Sequence, residues 1–135
     1  FISLILETFD KKIYTKDDVF HLVPASSLIE LNISDLKLLK EILFIMANGK
    51  LKKLGNKIGI IELGNKDSDN LKKVSTELKN LMPDEIVFIN DYEKIFDVEN
   101  IIISIEKTFA REKDLLKAYE YIQLANKKIY SIFWV

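Results

Sequence analysis

The stretch IGIIELGNKDSDNLKKV (58–74) has the layout of a phosphate-binding loop: an apolar run, a glycine, a short polar loop, then a helical pattern. In such a loop, G-x-x-x-x-G-K-[ST], the glycines let backbone N–H groups approach phosphate, the lysine supplies charge and the hydroxyl holds Mg²⁺. Counted from Gly64, the second glycine place holds Asp69, the lysine place Asn70 and the hydroxyl place Leu71. Asp67 and Asp69 add carboxylates at a helix start, where they complement the helix dipole themselves and repel an anion. Lys66 is the only cation within the loop. Residues Gly64, Asn65, Lys66, Asp67, Ser68 and Asp69 therefore read as a degenerate phosphate loop serving as a structural turn, with Ser68 or Asp69 as the N-cap of the next helix. No catalytic residue, cofactor or metal is expected from it.

The other chemistry-bearing side chains are scattered. Asp91, after the run EIVFIN, could be a Mg²⁺ ligand, but it has no partner motif and reads as a turn or helix cap. His21 is the only histidine, so a His-based triad or a histidine metal site has no partners. Tyr119, Tyr121 and Tyr130 read as packing residues. The acidic pair and the later Asp that a receiver-type phosphorylation site requires cannot be placed.

These groups must be positioned by one domain, because 135 residues suit a single core. Hydrophobic residues make up 48% and charged residues 30%, a globular balance. The net charge of −1 creates no global field to recruit nucleic acid. Cysteine is absent, which removes disulfides, thiolate metal sites and a Cys nucleophile. The chain begins with Phe1, and we read it as a piece of a longer protein. The run FISLIL is too short to span a membrane. It is either the inner end of a span or the start of an amphipathic helix with Phe1, Ile5 and Phe9 on one face.

Helical and strand periods alternate along the chain. A first helix is expected over 1–10. The segment 14–23 carries a capping box, Thr15 with Asp18, and a hydrophobic staple of Tyr14 with Val19; Pro24 stops it. Strands are expected at 27–31, 57–63, 85–90, 100–106 and 129–135. Helices are expected at 34–48, capped by Asn32 or Ser34, at 69–82 and at 110–126, with a short helix or turn at 91–97. Leu36, Leu39, Leu43 and Met46 should share the buried face of the helix at 34–48, and Gly49 should end it. Leu115, Ala118, Ile122 and Ala125 should face inward from the last. The nearly continuous apolar strands predict coverage on both faces. The expected architecture is a three-layer α/β domain, Rossmann-like and similar to P-loop kinases. Its mainly parallel sheet has about five strands and helices on both faces. Ligands would then bind at the carboxyl ends of the strands, in loops 63–69, 90–94 and 106–110.

This order of elements resembles a shortened, degenerate form of the cytoplasmic domain of bacterial tyrosine kinases. Those kinases are attached to the chain-length determinants (polysaccharide co-polymerases) of capsule and exopolysaccharide synthesis. Four stretches carry the resemblance. LILETFDKKIYTKDDV (4–19) is similar to the segment after the second membrane helix, with Asp10, Lys11, Lys12, Thr15, Asp17 and Asp18 in place. SLIELN (27–32) stands where a short strand normally ends in Ile-Pro. Ser34, Lys37 and Lys40 stand at the spacing of a Glu-x-x-Arg-x-x-Arg used between ring neighbours. Residues 100–135 resemble the final strand, Lys-Thr turn (Lys107, Thr108), helix and closing strand.

The departures lie in the catalytic parts. The phosphate loop is lost, the segment between it and the last strands is shorter, and Asn90 stands where a metal-binding Asp belongs. A kinase needs its phosphate cradle, lysine and metal ligands together. The resemblance thus implies a non-catalytic domain at the cytoplasmic face of the inner (cell) membrane, anchored by segments upstream of residue 1, with 1–12 as a juxtamembrane helix. It would act by self-association or by binding a cognate kinase or assembly proteins, through surfaces that include Ser34, Lys37 and Lys40. The alternative is a small α/β enzyme or ligand-binding regulatory domain that uses Asp91, Lys107 and Thr108 around a small anion.

Overall fold

The computed structural model describes residues 11–24, 27–65 and 67–135. The expected helix 1–10, most of the segment 1–12, and Lys66 lie outside the described residues. Helix α1 (Lys16–Leu22) is followed by β1 (Leu28–Glu30), α2 (Leu36–Asn48), the single-turn α3 (Lys50–Lys53), β2 (Ile58–Leu63) and α4 (Asn70–Leu81). Then come β3 (Ile86–Phe88), a 3₁₀ helix (Tyr92–Asp97), β4 (Asn100–Ile105), α5 (Glu112–Leu124) and β5 (Lys128–Trp134).

The five strands form one sheet in the order β1-β5-β4-β2-β3, with every pairing parallel. The sequence patterns of the central strands explain their position. Ile58 and Ile60 of β2 and Ile102 of β4 enter the core under α2, α3 and α4. Ile61 and Leu63 of β2, and Ile101, Ile103 and Ile105 of β4, enter the opposite core under α1, α5 and the 3₁₀ helix. A strand covered on both faces has no polar side to show, hence the unbroken apolar runs. The result is the expected three-layer α/β architecture.

The connections are consistent in hand. The moves β1→β2 and β2→β3 run one way along the sheet and carry α2, α3 and α4 on one face. The moves β3→β4 and β4→β5 run the other way and carry the 3₁₀ helix and α5 on the opposite face. Opposite directions with opposite faces mean a single handedness, as parallel crossovers require. Counted from β2, the strands run 2-1-3-4, and chain-initial β1 fills the fifth place. The direction of winding reverses between β2 and β4, so their carboxyl ends border the crevice where ligands bind in such sheets.

Local signals placed several boundaries. Thr15 Oγ1 accepts from Asp18 N–H at 3.2 Å, and Asp18 Oδ2 accepts from the N–H of Tyr14 and of Thr15 at 3.0 Å each. That is the expected capping box. Tyr14 is exposed, and Ile13 instead joins Val19 in the core. The Asp18 carboxyl is held below its ordinary value, chiefly by the Tyr14 and Thr15 N–H groups. A lowered carboxyl adds stability above the unfolded value and loses it as pH falls through the folded one. Thr15→Ala should cost about 1 kcal/mol. The stability difference between wild type and Asp18→Asn, measured by urea unfolding, should be present at pH 6 and vanish on acidification below the usual aspartate range.

Two expectations needed correction. Helix α2 starts at Leu36, later than expected. Its cap is Asp35, whose Oδ1 accepts from Leu38 N–H at 3.1 Å, while Asn32 Oδ1 accepts from Ser34 N–H at 3.0 Å in the preceding turn. Asn32 thus caps this turn, and Ser34 donates to it. The buried stripe of α2 is Leu39, Leu43 and Ala47, with Met46 partly buried; Leu36 is half-exposed at the first turn. Gly49 ends α2 at its C-cap as expected, but Leu51 of α3 extends the stripe by one more four-residue step and is 1% exposed. Gly49 is not left-handed; a Cβ there would lie 2.9 Å from the Ile45 carbonyl oxygen. At the end of α5 the left-handed residue is Asn126 (φ 57°), with Lys127 N–H bonded to Ile122 O at 3.0 Å and Asn126 N–H to Gln123 O at 3.0 Å. Leu115, Ala118 and Ile122 are buried as expected, with Ala125 packed beside them.

Candidate functional site

The β2–α4 loop and the end of β4 meet at the switch point. Glu106 continues the parallel pairing, its N–H bonding Leu63 O at 2.9 Å. Its carbonyl accepts from Ala110 N–H at 2.9 Å and so starts the turn into α5. The Glu106 side chain points across to the neighbouring loop and is 2% exposed. Its Oε1 accepts from the backbone N–H of Asn65 at 2.9 Å. Its Oε2 accepts from the Ser68 hydroxyl at 2.8 Å and from Asn70 Nδ2 at 2.9 Å.

Gly64 makes this approach possible: a Cβ there would sit 2.7 Å from both Cβ and Oε1 of Glu106 and 2.9 Å from Leu71 Cδ1. The loop is also shaped from within. Asn65 Oδ1 accepts from Asp67 N–H at 3.0 Å, and Ser68 Oγ accepts from Asn70 N–H at 3.2 Å. Asp69 occupies the N-cap position of α4 without a side-chain cap bond, so of the two expected caps Ser68 supplies the hydrogen bond. Asp67 and Asp69 are exposed. The carboxylate that meets the loop donors comes from Glu106, on another strand. A backbone N–H, a hydroxyl and a side-chain amide converging on two oxygens form an anion cradle, and the chain fills it with its own side chain.

Beside this contact, the carboxyl ends of β1, β5 and β4 border a cleft of about 610 Å³. Glu30, Asn32, Asn70, Lys107, Thr108 and Trp134 are among its lining residues. Lys107 and Thr108 both line this cleft. Asp91 is placed elsewhere: it follows the edge strand β3, and its Oδ1 accepts from Glu93 N–H at 3.1 Å as the cap of the 3₁₀ helix. Thr108 has φ 68°, a left-handed conformation that is strained for a β-branched residue. The N-terminal segment holds it there. Thr108 N–H bonds Ile13 O at 2.7 Å, Ile13 N–H bonds Ala110 O at 2.8 Å, and Lys11 pairs with Glu112 at 3.5 Å. Thr108→Gly should relieve the strain and raise stability by about 1 kcal/mol, read as a higher denaturation midpoint; an unchanged or lower midpoint would contradict the strain.

The remaining candidates are dispersed. Ser34 sits in the turn before α2, and Lys37 and Lys40 are exposed on that helix. Lys40 lines a groove of about 310 Å³ with Asp69, Lys72, Lys73 and Glu77, between α2 and α4. His21 is exposed in the last turn of α1. Tyr121 stacks edge-on against Tyr92, with centroids 4.6 Å apart, and Tyr119 and Tyr130 pack against the two cores. Among the described residues no group of three His, Asp or Glu side chains could hold a metal ion, and no helix is long and apolar enough to cross a membrane.

Glu106 is the site residue that sequence reasoning missed. The available signal was a charged residue directly ending the apolar run NIIISIE, at a sheet end that faces the candidate loop. No protein-family model matches the chain, and neither a curated protein nor a solved structure matches it.

Proposed function

We propose that the domain acts by binding and not by catalysis, as a kinase-like cytoplasmic domain of a capsule or exopolysaccharide chain-length determinant. It would serve at the inner face of the cell membrane, through self-association or contact with a cognate kinase or assembly proteins. The observation that supports this reading is the Glu106 carboxylate seated on the donors of Asn65, Ser68 and Asn70, the place a phosphate would take in an active loop. A nucleotide would have to displace a buried anion that is already hydrogen-bonded, and would then face its charge. The kinase resemblance supplies the biological setting. Ser34, Lys37 and Lys40 mark one surface for partner contact.

Thermal unfolding with MgATP or MgADP tests the reading. Ligand that binds the folded state must raise the midpoint with concentration. No rise is expected up to millimolar nucleotide, and a concentration-dependent rise overturns the proposal.

One observation favours a second reading, a small-ligand domain. The strained Thr108 and the exposed Lys107 line the 610 Å³ cleft together. Here Lys107→Ala should abolish the stabilisation given by whichever small anion raises the midpoint of the wild type. If screening phosphate, sulfate and carboxylates yields no such shift, this reading fails.

A further inference from the structure

At the opposite, amino end of the sheet a second groove of about 600 Å³ runs between the end of α2 and the starts of β1 and β5. Its apolar lining includes Ile29, Ile45, Met46 and Tyr130. Ile45 is 69% exposed, although it belongs to a helix with a well-formed buried stripe. Lys50 and Lys128 are its charged lining residues, and no carboxylate lines it. The neighbouring sequence 50–57 adds Lys52, Lys53 and Lys57 without an acid. Tyr130 reaches the groove because the β4–β5 register breaks there: Ile101 pairs with Ile129, but Ile102 pairs with Ser131. Such a bulge re-aims the side chains that follow it.

The same chain carries the complementary shape. In the 3₁₀ helix, YEKIFD, Phe96 is 70% exposed while its neighbour Ile95 is buried. Residues 84–99 hold six carboxylates (Asp84, Glu85, Asp91, Glu93, Asp97, Glu99) against one lysine, Lys94. Of these, Glu99 is tied to Lys127 at 3.4 Å and stands beside the groove, its carbonyl accepting from Lys128 N–H at 3.3 Å, so it is not part of the protruding surface. Ile95 packs in the core shared with α1 and α5, whereas Ile29, Met46 and Tyr130 pack against the core under α2, α3 and α4. Knob and groove thus belong to opposite layers of one copy.

We infer that the groove takes Phe96 from a second copy of this chain, with Asp91, Glu93 and Asp97 around that ring lying against Lys50 and Lys128. An apolar ring in a concave pocket provides the affinity, and the opposite charges fix the orientation. A flat anionic bilayer does not reach the half-buried floor of a groove, which a protruding side chain does. The inference rests on the binding reading above only in naming self-association as one of its forms, and it uses different residues from Ser34, Lys37 and Lys40.

Sedimentation equilibrium over a wide protein concentration range tests it. Wild type should associate, and Phe96→Asp and Ile45→Asp should each weaken association at least tenfold. Both side chains are exposed, so unchanged thermal unfolding of the dilute variants checks that they fold. Mixing the two variants should restore a one-to-one pair, because each still holds the half the other lacks. Lys128→Glu should weaken association and Asp97→Lys on the same background should recover part of it. A wild type that stays monomeric at millimolar concentration, or a mixture that does not associate, overturns the inference. So does binding of the wild type to phosphatidylserine vesicles that Ile45→Asp abolishes without any self-association. A nucleotide-induced shift would sink the non-catalytic reading and leave this outcome unchanged.

Discussion

Glu106→Ala should lower stability by about 2–4 kcal/mol and free the loop between β2 and α4. Three hydrogen bonds to a charged acceptor are worth about 1.5–3 kcal/mol apiece when fully sealed from water. Ser68 and Asn70 are half-buried and Asn65 is exposed, so water recovers part of the loss. Glu106→Gln should cost about 1–2 kcal/mol. If its remaining oxygen serves Ser68 and Asn70, its amide meets the Asn65 N–H, and a donor then faces a donor. A chemical rescue separates this account from simple loss of packing. Formate should raise the denaturation midpoint of Glu106→Ala in a concentration-dependent way and leave wild type unmoved, because only the variant presents three donors around an empty carboxylate position. Equal effects of formate on both proteins would show that the loop is not an anion cradle.

Phe133→Ala should cost about 3–5 kcal/mol, the range for deleting a buried aromatic ring. Phe133 lies in β5 between β1 and β4, is 0% exposed, and belongs to the core under α2, α3 and α4. Its neighbours in the sheet, Ile29 and Ser104, are fixed by the parallel register and cannot close on the gap. Domains of this kind keep about 5–15 kcal/mol in total, so the variant should show a much earlier guanidinium midpoint. Leu124→Ala, at a position 77% exposed, should stay within about 0.5 kcal/mol of wild type. Equal midpoints for the two variants would mean that the core has been wrongly placed.

The sequence by itself determined the architecture. Nearly continuous β-branched runs can be buried only from both sides, and such strands alternate with amphipathic helices at crossover spacing; that leaves a parallel sheet between two helical layers. It also determined the capping box of Thr15 and Asp18 and the inward faces of Leu115, Ala118 and Ile122, because each depends on residues within one or two turns of one another. Around the candidate loop it determined what was missing: at Asp69, Asn70 and Leu71 the side chains that hold a nucleotide are absent, and no fold can supply them there.

The tertiary structure decided what the loop does with its donors. Glu106 lies 36 residues or more from Asn65, Ser68 and Asn70, and only the pairing of β4 beside β2 brings its carboxylate to them. Strand order is a long-range property that periodicity does not encode. The same cause separated Asp91 from Lys107 and Thr108, since β2 lies between the strands that end in them. It also put Leu51 back on the stripe of α2 beyond Gly49, and it left Ile45 and Phe96 in solvent on opposite layers. Local pattern fixes which face of an element is apolar. Which apolar faces find a partner within the chain, and which stay in solvent, depends on how the layers close.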